Sequence, residues 1–185
     1  MSGRGVLYIV SGNVGSGKTT FCTTVLDSLP KPLKDSWIVT GILSPGVFEG
    51  QEKIAIDALD IASAERRRLA QRRTDESEGV LTQRWSLDPR VIEWCNRVLR
   101  TATPCDMLIV DELGPLEFRR GEGFRQGITA LDSGGYKLAL AVVRTELLHF
   151  AEQRWPDART LDITTRDHAL ASADDFIAKI ASSGV

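Results

Sequence analysis

The sequence has little that binds metal through nitrogen or sulfur: among 185 residues there are only two histidines and three cysteines. His149 and His168 stand apart from one another, and Cys22, Cys95 and Cys105 are odd in number at spacings that fit neither a disulfide framework nor a zinc knuckle. Free thiols of this kind suit a reducing compartment. No apolar run approaches the 18 residues that would mark a membrane-spanning helix. The N-terminal Met-Ser-Gly-Arg-Gly leads into an apolar strand instead of an apolar helix with a small-residue cleavage site, so the expected location is the cytoplasm, away from any membrane. Excess charge is also lacking: 23 Lys and Arg against 25 Asp and Glu leave a formal −2, and no global field draws the chain to nucleic acid, which is not an expected partner.

What is present is the composition of a globular domain, with 42% hydrophobic and 26% charged residues. A chain of this length buries about two thirds of its unfolded surface in a single core, and residues 1–185 are expected to form one domain. Residues 5–11 are an apolar, β-rich run, followed by a Gly-rich turn and a helix over 18–28 that ends before Pro30 and Pro32. Residues 37–43 read as a second strand. Residues 46–61 read as an inserted β-hairpin, with Glu49-Gly50-Gln51-Glu52 as its turn. The polar stretch 64–84 shows no sustained period and is expected to be a loop able to cover a site. Asp88-Pro89 has the form of an N-cap followed by Pro at the first helical position, opening a helix with Val91, Ile92, Trp94, Cys95, Val98 and Leu99 on its apolar stripe.

Residues 107–110, 138–143 and 160–163 are continuous apolar strands, with helices expected near 121–132, 145–154 and 166–181. Such strands separated by helices indicate a mostly parallel central sheet covered on both faces, a three-layer α/β/α architecture.

Gly12-Asn13-Val14-Gly15-Ser16-Gly17-Lys18-Thr19 matches the phosphate-loop pattern G-x-x-x-x-G-K-S/T, and it lies where that pattern must lie, after a strand and at the start of a helix. Glycines let the loop wrap a phosphate with its N–H groups pointing inward, and the helix adds its positive end. Lys18 is expected at the β and γ phosphates, the Thr19 hydroxyl on Mg²⁺, and Thr20 beside them in the first helical turn. Asp111-Glu112 closes the strand 107–110 at the edge where open α/β sheets bind ligands. Asp111 is the expected second holder of Mg²⁺. Glu112, one residue further, is placed to orient and deprotonate a water for attack on the γ-phosphate.

The phosphate loop, the run Asp111-Glu112-Leu113-Gly114-Pro115-Leu116-Glu117 and the closing Asp162-Ile163-Thr164-Thr165-Arg166-Asp167-His168 together resemble the thermophile-type nucleoside-triphosphatase family across nearly the whole chain. The resemblance implies a P-loop fold and slow Mg²⁺-dependent hydrolysis of ATP, GTP and other triphosphates with loose base preference. No NKxD-like run is present to read guanine, in agreement.

The family's D-E-x-G-K-M-E pattern is only partly kept. Pro115 stands where many relatives carry lysine, so any charge stabilisation by that lysine is absent here or comes from elsewhere. Arg119, Arg120 and Arg144 are the candidates, with Arg144 preferred as a catalytic residue because it ends a core strand at the ligand edge.

Arg66, Arg67, Arg68, Arg72 and Arg73 form a basic cluster that reads as a solvated face, a protein-partner patch within 64–84, or a lid of the kind nucleotide kinases close over a triphosphate. Trp37, Trp94 and Trp155 are expected in packing. Two other functions fit the same motifs: a small-molecule or nucleotide kinase, and a nucleotide-dependent switch or assembly factor.

Overall fold

The apolar runs do form strands, and the computed structural model, which describes residues 5–183, lays them side by side in one sheet. In chain order the elements are β1 (Val6–Gly12), α1 (Lys18–Ser28), α2 (Lys31–Ser36), β2 (Val39–Leu43), β3 (Gly46–Glu49), β4 (Glu52–Asp60), β5 (Arg66–Arg72), β6 (Val80–Leu81), β7 (Trp85–Leu87) and α3 (Pro89–Arg100). They continue with β8 (Cys105–Leu113), a π-helical turn (Leu116–Arg120), α4 (Arg125–Ser133), β9 (Tyr136–Arg144), a 3-10 turn (Thr145–Leu147), α5 (Leu148–Arg154), β10 (Arg159–Asp162) and α6 (Arg166–Ser183).

Across the sheet the order is β10-β1-β9-β8-β2-β4-β5-β7-β6, with β3 on β4. The first five are mutually parallel; from β4 onward every pairing is antiparallel.

Strand side chains alternate between faces, and each face of the parallel half is apolar. Leu7, Ile9, Leu108, Val110, Ala139 and Ala141 pack toward α3, α4 and α5, while Tyr8, Val10, Met107, Ile109, Leu140 and Val142 pack toward α1 and α6. These two cores on opposite faces give the expected three layers. Asp88 caps α3 as anticipated, accepting the N–H of Arg90 at 2.8 Å, with Pro89 at the first helical position. The proline pair that ends α1 also opens a short helix the sequence reading did not foresee: Pro30 is the N-cap of α2 and Pro32 lies in its first turn.

The hairpin expected at 46–61 is present as β3 and β4. The stretch 64–84 is corrected: it is not a covering loop, because Arg66–Arg72 is β5, paired antiparallel along β4, and Val80–Leu81 is β6. The insertion is therefore a five-stranded antiparallel continuation of the parallel sheet, covered by α3 on the face that carries Ala58, Leu69 and Ala70.

Candidate active site

Parallel strands deliver their C-terminal ends to one edge. At that edge β1 runs into the phosphate loop, β8 into Asp111 and Glu112, and β9, lying between them, into Arg144. Register sets the alignment: Gly12 of β1 is opposite Arg144 of β9. In β8 the pairing with β9 gains one residue between Val110 and Leu113, a bulge that falls on Asp111-Glu112 and re-aims their side chains.

The loop needs residues without side chains. Gly15 has φ +81° and Gly17 φ +103°, both in the left-handed region, and a Cβ on Gly17 would stand 3.0 Å from the Cβ of Ala169 and from the Cα of Arg166 on α6. Asn13, Val14 and Gly15 are exposed at the tip, whereas Ser16 and Lys18 are buried. The Ser16 N–H donates to the Asn13 carbonyl at 3.1 Å, closing the turn. Lys18 Nζ donates to the carbonyls of Gly12 and Asn13, each at 2.9 Å, so its ammonium curls over the loop's own backbone. Thr19 and Thr20 lie half-buried in the first turn of α1.

Asp111 is completely buried. Its Oδ2 accepts the Ser44 N–H at 3.1 Å, and its backbone oxygen accepts the Ser44 hydroxyl. Oδ1 of Asp111 and the hydroxyl of Ser16 are buried polar atoms with no hydrogen-bond partner among the described residues. Burial first, and the neighbouring Glu112 charge second, raise the Asp111 carboxyl to about 6. A buried carboxylate with an unmatched oxygen beside the Thr19 hydroxyl is a hard-oxygen donor set of the kind Mg²⁺ takes when phosphate oxygens complete the shell. The described residues hold no group of three or more His, Cys, Asp or Glu that could bind a metal by themselves.

Glu112 is paired across the sheet edge: Arg144 Nε donates to its Oε1 at 2.7 Å, with both side chains about 30% exposed. The structure thus brings the preferred arginine to the site and puts it on the carboxylate. The other two candidates lie elsewhere, for Arg119 stacks on the Phe150 ring at 5.8 Å and Arg120 pairs with Glu122 at 2.6 Å. Glu117 accepts the N–H groups of Gly114 at 2.7 Å and Phe124 at 2.6 Å and so ties together the loop that follows Glu112. Burial raises its carboxyl to about 7.

Arg66, Arg67, Arg68 and Arg72 of the basic cluster lie on β5 and are matched by acids. Arg66 and Arg68 pair with Asp57 at 3.7 and 2.6 Å, Arg67 with Glu65 at 2.7 Å, and Arg72 with Glu52. Arg67 also lies over the Trp94 ring at 4.6 Å. Trp94 and Trp155 are buried in the core, as expected, and Trp37 packs against the second core cluster.

Three residues at this edge escaped the sequence reading. Ser44, just past β2, holds Asp111. Lys53 and Trp85, brought by β4 and β7, line a cavity of about 100 Å³ with Thr19, Glu112 and Arg144. The one available sequence signal was the alternation in β4, which set Lys53 on a strand without showing where that strand ends.

The profile of the NTPase family matches residues 7–172. Over 171 residues the chain is 30% identical to the nucleoside-triphosphatase THEP1 of Methanothermobacter thermautotrophicus, spanning 91% of this chain and 94% of that one. It is 33% identical over 111 residues to the nucleoside-triphosphatase THEP1 of Ignicoccus hospitalis, about 60% of each chain. The solution structure of a human cancer-related nucleoside triphosphatase superposes with a TM-score of 0.68 at 20% identity, covering 98% of this chain and 99% of that chain, which shows a shared fold. No helix of the described residues is long and apolar enough to cross a membrane. With a phosphate loop, an acid pair and an arginine gathered on one sheet edge, and with the family profile spanning almost all of the sequence, the chain belongs to the NTPase family of nucleoside triphosphatases.

Proposed function

We propose that the 185 residues act as one P-loop domain that hydrolyses the terminal phosphate of nucleoside 5′-triphosphates with Mg²⁺, releasing diphosphate and phosphate with loose preference for the base. The observation that carries this reading is the convergence of Lys18, at the start of α1, with Asp111 and Glu112 of β8 and Arg144 of β9 on a single edge. The loop amides from Gly12 to Thr20, with Lys18, bind the polyphosphate; Thr19 and Asp111 would hold the ion. Mg²⁺, when bound, supplies charge neutralisation at the phosphate oxygens.

Glu112 orients a water in line with the terminal phosphorus and accepts its proton. Arg144 Nε donates to that carboxylate and holds it in one rotamer. Weak base selectivity follows from a grip made of main-chain amides and Lys18, none of which touches a base. Three free cysteines, of which Cys22 and Cys95 are buried, support a reducing cytoplasmic setting.

The cavity beside Glu112 favours one second reading. A single water needs roughly 10–15 Å³, and about 100 Å³ is present, lined in part by Ile56, Leu69 and Leu116. A hydroxyl compound seated there would make the chain a small-molecule kinase. Phosphate release from a panel of four NTPs with Mg²⁺ and no added acceptor tests both. Steady release from all four supports hydrolysis, whereas diphosphate formation that appears only with an added alcohol, with the phosphoryl group carried onto that alcohol and no free phosphate, supports the kinase. Lys18→Ala, in the same assay, should weaken triphosphate binding and turnover together.

A further inference from the structure

We propose that Lys53, carried by the inserted antiparallel strands, is a catalytic residue whose ammonium contacts the terminal phosphate and neutralises the charge that builds there in the transition state. The inference rests on the hydrolytic reading above and adds to it the source of the charge that Pro115 cannot supply.

The argument begins with reach. Leu59 of β4 is level with Leu43 at the end of β2, and Lys53 lies six residues further toward the ligand side. At about 3.3 Å per residue, β4 overhangs the catalytic edge by roughly 20 Å along the strand. The overhang curls back over the site, since Lys53 lines one cavity together with Thr19, Ser44, Glu112 and Arg144.

Elimination supplies the second step. Two cations line that cavity, Lys53 and Arg144, and Arg144 is held by Glu112, while Lys18 in the loop donates to the Gly12 and Asn13 carbonyls. Lys53 differs. Its recorded contact is the face of Trp85, with Nζ 5.7 Å from the ring centroid, an arrangement that steers an ammonium without neutralising it. Burial pulls this lysine below its ordinary range, and the charges of Glu112 and Asp111 oppose that shift. A half-buried cation brought this close to the reacting centre meets its counter-ion when a triphosphate arrives. A preorganised cation at developing phosphate charge contributes most in the transition state, where that charge is greatest.

The test uses the full chain in three forms, wild type, Lys53→Met and Lys53→Arg, beside Glu112→Gln. Methionine keeps most of the stem that packs on Trp85 and removes the charge. Lys53→Met should lower kcat by about 100-fold, change the dissociation constant for a non-hydrolysable ATP analogue less than about threefold, and lose the Mg·ADP·aluminium fluoride complex that mimics the transition state. Lys53→Arg should recover the complex and much of the rate. Melting temperatures of the three should agree, which a purely structural lysine would not require.

A Lys53→Met protein with wild-type kcat and an intact aluminium fluoride complex, measured while Glu112→Gln is inactive, overturns the proposal and leaves hydrolysis standing. No phosphate release from the wild type removes the hydrolytic reading itself, and full activity in Glu112→Gln removes Glu112 as the group that aims the water.

Discussion

The two halves of the sheet solve the same problem in opposite ways. From β10 to β2 the strands are parallel, and all but the exposed β10 are apolar on both faces and enclosed by helices, so that their C-terminal ends form a platform for the phosphate loop, Asp111 and Arg144. From β4 to β6 the strands are antiparallel, and β5 alternates poorly: Leu69 and Ala70 are buried while five of its seven residues are exposed. Its charges are balanced by acids on β4 and in the β4–β5 turn. The first half gains its stability from burial and can therefore hold an uncompensated carboxylate at its edge. The second half trades burial for surface ion pairs and extends beyond the edge, which is how it brings Lys53 and Trp85 over the site.

The difference can be broken from either side, and the largest effect belongs to the parallel half. Leu140, fully buried in the middle of β9, should cost about 2–5 kcal/mol as Leu140→Ala by denaturant unfolding. A loss below 1 kcal/mol would mean that the two faces are not packed as described.

Asp111 comes next, and its sign is the reverse. Its carboxyl is raised from the ordinary 3.8 to about 6, so the ionised form burdens the metal-free fold above pH 6 and the burden fades as pH falls toward 4. The rise corresponds to roughly 3 kcal/mol at most. Asp111→Asn should therefore melt a few degrees higher than the wild type at pH 7.5 without Mg²⁺, with the gap shrinking between pH 6 and pH 4, and should lose hydrolysis. A variant that melts lower than the wild type at pH 7.5 would contradict the placement of a strained carboxylate there.

The antiparallel half yields the small effects. Arg68→Ala removes the closer partner of buried Asp57 but leaves Arg66 beside it, and should cost about 1 kcal/mol. Arg72→Ala breaks a pair whose side chains are 55% and 56% exposed and should change stability by less than about 0.5 kcal/mol. Thermal melts at low and high salt check both, with the difference between variant and wild type shrinking as salt rises.

Legibility followed the same division. The phosphate loop, Asp111-Glu112, the Asp88 cap and the parallel strands were all readable because each depends on residues adjacent in sequence, and a strand buried on both faces announces itself as an unbroken apolar run. β5 was not readable, since an Arg-rich stretch becomes a strand only when Asp57 and Glu52 are carried alongside it by the antiparallel register. Arg144 was placed correctly at the ligand edge, but its partnership with Glu112 spans 32 positions and arises from the β8–β9 pairing. Lys53 looked like any polar residue of a hairpin. Its meaning comes from β4 running past the end of β2, a length relation between two strands that no local pattern contains.

The most direct test of the account is single-turnover phosphate release from Mg·ATP by Glu112→Gln, measured beside equilibrium binding of the same nucleotide. Binding within about threefold of wild type with a rate lower by on the order of a thousandfold or more is the predicted result. A rate close to wild type would show that the acid at the end of β8 does not aim the water, and the reading of this edge as a hydrolytic centre would fall with it.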